Sequence, residues 1–145
     1  MISVNIAKEL VDFSAGVADR KNLAEQQIRG SVALYNIFKN QNLAYLADEV
    51  GMGKTYVALG TIALMRKKKP DLRVLYLLPK NNVRDKWVKD YRSFVEYNYR
   101  HDDLIVRSLE RTPAAPSVVC RGLEALIREA ATGNNQDIFI CSSAL

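Results

Sequence analysis

The stretch Asp48-Glu49-Val50-Gly51-Met52-Gly53-Lys54-Thr55 decides the fold. It follows a short apolar run, Leu43-Ala44-Tyr45-Leu46-Ala47, and opens a helical pattern from Lys54 to Lys68. Apolar strand, Gly-rich turn, helix is the order in which backbone N–H groups converge on a phosphate. Gly51 and Gly53 are able to take positive φ and let the main chain approach an anion closely. The helix N-terminus adds its partial positive charge. Lys54 is placed to reach the β- and γ-phosphates, and Thr55 to put its hydroxyl on Mg²⁺. A turn that merely caps a helix needs neither Lys-Thr directly after the second Gly nor an apolar strand before it.

The general phosphate-loop pattern starts with Gly, and here that position is Asp48. The spelling Asp-Glu-Val-Gly-Met-Gly-Lys-Thr resembles motif I, the Walker A loop, of superfamily 2 helicases. More narrowly it is similar to Swi/Snf-type translocase ATPases, where an Asp-Glu pair precedes the same loop. The resemblance implies ATP and Mg²⁺ as cofactors. It implies that Asp48, Glu49, Val50, Gly51, Met52, Gly53, Lys54 and Thr55 surround the nucleotide. Lys54 and Thr55 are then the catalytic pair, with Thr55 the Mg²⁺ ligand.

Upstream, Leu23-Ala24-Glu25-Gln26-Gln27-Ile28-Arg29-Gly30 leads into a helical face of Val32, Leu34, Ile37 and Phe38. Leu23, Gln27 and Gly30 fall at the spacings of a segment that precedes motif I in Swi/Snf-type ATPases. Glu25-Gln26 stands where that segment usually has Pro-Tyr, so Gln26 is an alternative to Gln27. Adenine shows an N6 donor and an N7 acceptor side by side, and one Gln amide satisfies both. Gln27 is the expected reader of the base; an exposed helical Gln is the plain alternative.

Downstream, Leu72 to Leu78 is the strongest strand pattern in the chain. It ends at Pro79-Lys80-Asn81-Asn82, and a helix with Trp87, Val88, Tyr91 and Phe94 follows. This order resembles motif Ia, although Pro79 and Trp87 stand one residue further apart than is common. The resemblance implies that the turn faces a nucleic-acid backbone, for which Lys80, Asn81, Asn82 and the N–H groups of a helix start are suitable donors. Trp87 reads as core. Asp137 to Leu145 is a last strand with its exit turn, and looks like motif Ib. Ser142 and Ser143 are candidate phosphate donors there, or simply the small polar residues of a strand exit.

The remaining segments read as scaffold. Ile2, Ile6, Leu10 and Phe13 mark a short amphipathic helix, and Ser14 to Lys21 a connection. The basic run Arg66-Lys67-Lys68-Lys69 before Pro70 is accounted for by the dipole of a helix end. Glu96 to Asp103, with Tyr97, Tyr99 and His101, reads as a surface connection, though aromatics among basic residues also stack on bases. Leu104-Ile105-Val106 is a predicted strand. Thr112 to Pro116 is a loop, Ser117 caps a helix through Leu123, Leu126 and Ile127, and Gly133-Asn134-Asn135 closes it.

The chain has 145 residues and is 48% hydrophobic, which suffices for one globular core. Lys plus Arg number 21 against 16 for Asp plus Glu, and this modest excess permits a polyanionic partner without requiring one. Cys120 and Cys141 have neither CxxC spacing nor a neighbouring His, which speaks for buried reduced thiols and an intracellular protein, cytoplasmic or nuclear. No signal peptide and no apolar run of membrane-spanning length is found.

The expected fold is α/β: a RecA-like P-loop NTPase with a mainly parallel sheet flanked by helices, incomplete as a domain. Residues 1–22 form an N-terminal helix and linker, and residues 23–145 the N-terminal part of a first RecA-like domain. In the family, an apolar strand ending in Asp-Glu follows to activate water; no such strand end occurs after the loop. The resemblance therefore implies the ATP-binding part of a DNA-dependent motor, acting on double-stranded DNA together with a second RecA-like domain. These residues alone bind nucleotide without turnover. The alternatives are another P-loop NTPase such as a nucleotide kinase, or a non-enzymatic nucleotide- or nucleic-acid-binding module.

Overall fold

The computed structural model describes residues 1–47, 53–100, 117–132 and 137–145. The elements in chain order are α1 (Val4–Leu10), α2 (Lys21–Phe38), α3 (Lys54–Lys68), β1 (Val74–Leu78), α4 (Asn81–Ser93), β2 (Ser117–Cys120), α5 (Leu123–Thr132) and β3 (Asp137–Cys141). Short 3₁₀ turns cover Ala18–Arg20 and Ser142–Ala144, and a π-helical turn covers Phe94–Asn98. The chain divides into two compact units: residues 1–70 with 93–101, and residues 71–92 with 102–145.

The first unit is helical. Ser3 caps α1 by accepting a hydrogen bond from Ile6 N. Ala7 and Leu10 are buried, but Ile6 is 51% exposed. The expected continuous helix to Phe13 is therefore corrected: it stops at Leu10, and Val11 leaves it extended to form an antiparallel bridge with Tyr99. Phe13 reaches the core from the turn that follows, where it packs on Phe94 at 6.1 Å between ring centroids.

Helices α2 and α3 meet along a seam of small residues. A Cβ on Gly60 would lie 2.5 Å from Phe13 Cζ and 2.6 Å from Ser31 Oγ, so glycine sets the approach of the two backbones there. Ser31 Oγ stands 2.9 Å from Gln27 O and 3.0 Å from Val57 O, and Thr61 Oγ1 donates to Val57 O at 2.8 Å. The hydroxyls satisfy themselves on helix carbonyls, which allows buried polar residues in a tight seam. Of the expected α2 face, Val32 and Leu34 are buried, while Ile37 and Phe38 are each 38% exposed.

The second unit carries a three-stranded sheet in the order β1-β3-β2, with both pairs parallel. Central β3 is buried along its whole length, as expected of a parallel strand covered on both faces. Tyr76 and Phe139 share one face in register and stack at 4.1 Å. Tyr91 and Trp87 of α4 cover that pair, and Tyr91 Oη donates to Asp137 Oδ2 at 2.9 Å. On the opposite face Cys120, Ile138 and Ile140 pack against Ala125 and Leu126 of α5. Helices on both faces of a parallel sheet make this an α/β protein, as the sequence indicates.

Two expected elements are corrected. Leu43–Ala47 forms no strand, and Leu43 and Tyr45 are 79% and 88% exposed. A strand exists only through its ladder, and none of the described strands pairs with this run, whatever its apolar character. Ser117 does not cap a helix but begins β2. The β-branched pair Val118-Val119 suits a strand beside β3, and α5 starts only after the break at Arg121-Gly122. Leu104–Val106, Thr112–Pro116 and Gly133–Asn135 lie outside the described residues. Among the described residues, no helix is long and apolar enough to cross a membrane.

Candidate functional site

Helix α3 begins at Lys54, as expected, and its N-cap is Gly53 at φ 72°, ψ 40°. That left-handed conformation costs an L-residue roughly 1–2 kcal/mol and glycine nothing. A second demand falls on the same atom. A Cβ on Gly53 would sit 2.2 Å from Gln27 Nε2. The Gln27 carboxamide thus occupies the place where a side chain on the loop glycine would be. Two residues singled out on separate grounds, one for the base and one for the phosphates, touch in the fold.

Gln27 is brought there by α2 and is only 6% exposed, so it is not the exposed helical Gln of the plainer alternative. The neighbouring Gln26 is exposed, so of the two amides it is Gln27 that meets the start of α3. Lys54 and Thr55 occupy the first two helical positions and are half-buried. The first N–H groups of a helix lack intrahelical acceptors and carry the positive end of the dipole. Asp48, Glu49, Val50, Gly51 and Met52 lie outside the described residues.

Gln27 and Gly53 open into a cavity of ≈ 560 Å³, within the range that holds small ligands. Phe13, Arg20, Tyr56, Tyr97 and Asn98 also line it, and no motif in the sequence assigns any of them to a nucleotide. The expected surface connection after α4 needs correction here. Phe94–Asn98 is a π turn closed by Tyr99 N donating to Phe94 O at 3.2 Å, and Asn98 and Tyr99 are each 4% exposed. This segment is fastened to the chain between α1 and α2. Asp12 N donates to Asn98 O at 2.7 Å, Asn98 Nδ2 to Asp12 O at 2.7 Å, and Arg100 N to Leu10 O at 3.0 Å. Arg100 also pairs with the Asp12 carboxylate, which accepts from Ser14 N and Oγ as well. Burial works against that carboxylate, but the bonds from Ser14 and Arg100 outweigh it and hold the Asp12 carboxyl below its ordinary value.

The second unit gathers the other predicted residues. Pro79, Lys80, Asn81 and Asn82 leave the C-terminal end of β1, Ser142 and Ser143 leave that of the adjacent β3, and all six are exposed. Ser142 Oγ donates to Pro79 O at 3.3 Å, so the two turns meet. Ser143 Oγ lies 2.9 Å from Cys141 Sγ. In open α/β sheets the carboxyl ends of parallel strands are where ligands bind. Of the basic run that ends α3, Lys67, Lys68 and Lys69 are exposed and Arg66 is buried, 4% exposed. Both cysteines are buried free thiols, and no metal-ligating cluster exists among the described residues.

Residues 16–142 match the type III restriction enzyme res subunit family. The chain belongs to that family. This res subunit region is a helicase-like ATPase domain of superfamily 2, which accords with the parallel sheet, the flanking helices and the loop that starts α3. No curated protein and no solved structure gives a significant match.

Proposed function

We propose that this chain is the ATP-binding part of a superfamily 2 motor, Swi/Snf-like in the spelling of its loop, which couples ATP hydrolysis to movement on or remodelling of double-stranded DNA. The observation that carries the reading is the seat of the Gln27 amide against Gly53 at the start of α3, at the edge of a nucleotide-sized cavity. It puts a group able to read adenine beside a backbone able to cradle phosphate. Gly53 fits the cofactor for a local reason: any side chain there would fill the cradle and evict the amide.

Lys54 neutralises β- and γ-phosphate charge, and Thr55 offers its hydroxyl to Mg²⁺. Asp48 to Met52 complete the loop. Mg²⁺, if held there by Thr55, would supply positive charge to offset that of the phosphates. Gln27 donates to and accepts from the adenine edge. Pro79, Lys80, Asn81, Asn82, Ser142 and Ser143 face the DNA backbone, and a second RecA-like domain completes the motor. A reducing intracellular compartment, cytoplasmic or nuclear, suits the two free thiols.

Calorimetric titration of the 145-residue chain with Mg²⁺–ATP tests the reading. Lys54→Ala is expected to abolish binding with an unchanged circular-dichroism spectrum; equal affinity in the variant sinks the assignment. Turnover by the 145 residues is expected not to exceed that of the Lys54→Ala control, because no Asp-Glu strand end stands among them to activate water. Phosphoryl transfer to a small acceptor would speak for a nucleotide kinase instead.

A further inference from the structure

A base is held by two things, its edge and its face. The proposed site supplies an edge reader in Gln27, and the question is which group takes the face. Three aromatic rings line the cavity. Phe13 is buried and packs against Phe94. Tyr56 also spends itself on Phe94, edge-on at 6.3 Å between ring centroids. Tyr97 is different: it is 61% exposed and makes no ring contact among the described residues, yet it lines the same cavity as Gln27 and Gly53.

Its backbone is anything but loose. Tyr97 sits inside the π turn Phe94–Asn98, between Phe94 and Val95 on one side and Asn98 on the other, all buried. Helical π turns of this kind recur at functional sites because they push one residue out of helical register. The reciprocal bonds between Asp12 and Asn98, and the pairing of Arg100 with Asp12, pin the turn on its far side. An exposed ring on a pinned backbone loses little freedom when a flat ligand slides against it, which is what makes a stacking platform effective.

Resting on the nucleotide reading of the site, we propose that Tyr97 is the specificity-determining residue that stacks on the face of the purine whose edge Gln27 reads. The Asp12–Asn98–Arg100 clasp is its positioning device. Stacking of one base on one aromatic ring is worth about 1–3 kcal/mol, on the order of a five- to 150-fold change in affinity.

Two ligands separate face from phosphates: ATP, and inorganic tripolyphosphate, which has no base. In the 145-residue chain, Tyr97→Ala is expected to weaken ATP at least about fivefold and to leave tripolyphosphate unchanged. Tyr97→Phe, which keeps the ring, is expected to stay within about twofold for both, since the face survives without the hydroxyl. Wild-type ATP affinity in Tyr97→Ala overturns the proposal, as does an equal loss for both ligands. Lys54→Ala distinguishes this failure from that of the site itself. Loss of both ligands in Lys54→Ala beside an unaffected Tyr97→Ala leaves the nucleotide site standing without its stacking ring. Wild-type binding of both ligands by Lys54→Ala removes the nucleotide reading, and the role of Tyr97 goes with it.

Discussion

Gly53 answers two constraints with one missing atom. Its positive φ forbids most side chains on backbone grounds, and the Gln27 amide forbids them on steric grounds. Gly53→Ala therefore does more than strain a turn. The methyl would have to displace the end of the Gln27 side chain, which is flexible enough to move, so the fold survives. The expected cost is about 1–2 kcal/mol in stability. If Gln27 reads the base as proposed, ATP affinity is expected to fall by about tenfold or more as its amide leaves that seat. Thermal melts and ATP titration of the same sample check both halves; unchanged ATP affinity would show that the contact between Gly53 and Gln27 has no bearing on the nucleotide. Sequence already marked both residues, Gly53 because loop chemistry is written in consecutive positions and Gln27 by the spacing that Leu23, Gln27 and Gly30 share with the resembled family. It could not mark their contact, which depends on how α2 crosses α3 through Ser31 and Gly60. Nor did it assign Tyr97 to a nucleotide, since the turn that carries it is held through Asn98 by Asp12, far away along the chain.

At the scale of elements, legibility followed local signals. Helix α3 begins and ends where glycine, the cation run and Pro70 place it, and β1 lies inside its apolar run. The errors came where partners decide. Leu43–Ala47 has strand composition and no strand, while Ser117–Cys120 looked like a helix start and pairs with β3. The π turn was invisible for the same reason, since Asn98 within it is bonded to Asp12, a partner far away along the chain. That clasp has a pH signature. The Asp12 carboxyl titrates lower in the folded chain than its ordinary 3.8. A depressed carboxyl contributes stability that is fully present above the unfolded value and is lost as pH falls through the folded one. Asp12→Asn is therefore expected to melt below the wild type at neutral pH, with the gap closing below about pH 4 as the wild-type carboxylate takes up its proton. Melting curves between pH 3 and 7 decide it, and a gap that stays constant across that range would show that the charge on Asp12 adds nothing to the clasp.

At the scale of the whole molecule, the two proposed activities fall in different compact units. Gln27, Gly53, Lys54, Thr55 and Tyr97 belong to the first, and Pro79 to Asn82 with Ser142 and Ser143 to the second. The proposed motor would have to couple two such sites, and the chain passes from one unit to the other near Pro70 and Arg92. The separation has a consequence that binding data can read. Lys80 is exposed after the C-terminal end of β1, directly before Asn81 and Asn82 at the start of α4, and the turn it shares with Pro79 meets the exit of β3. If this turn tracks a DNA backbone, Lys80 neutralises one phosphate and releases its counterions. Lys80→Ala is then expected to weaken duplex binding evenly across sequences. It is also expected to lower the slope of log K against log salt by about 0.9. ATP affinity in the same variant should be unchanged, because none of the residues that line the proposed base site lies in the altered unit. Fluorescence anisotropy of a labelled duplex at several salt concentrations, beside ATP titration, measures both. An unchanged salt slope would remove Lys80 from the DNA contact, while a parallel loss of ATP affinity would mean that the two units respond as one.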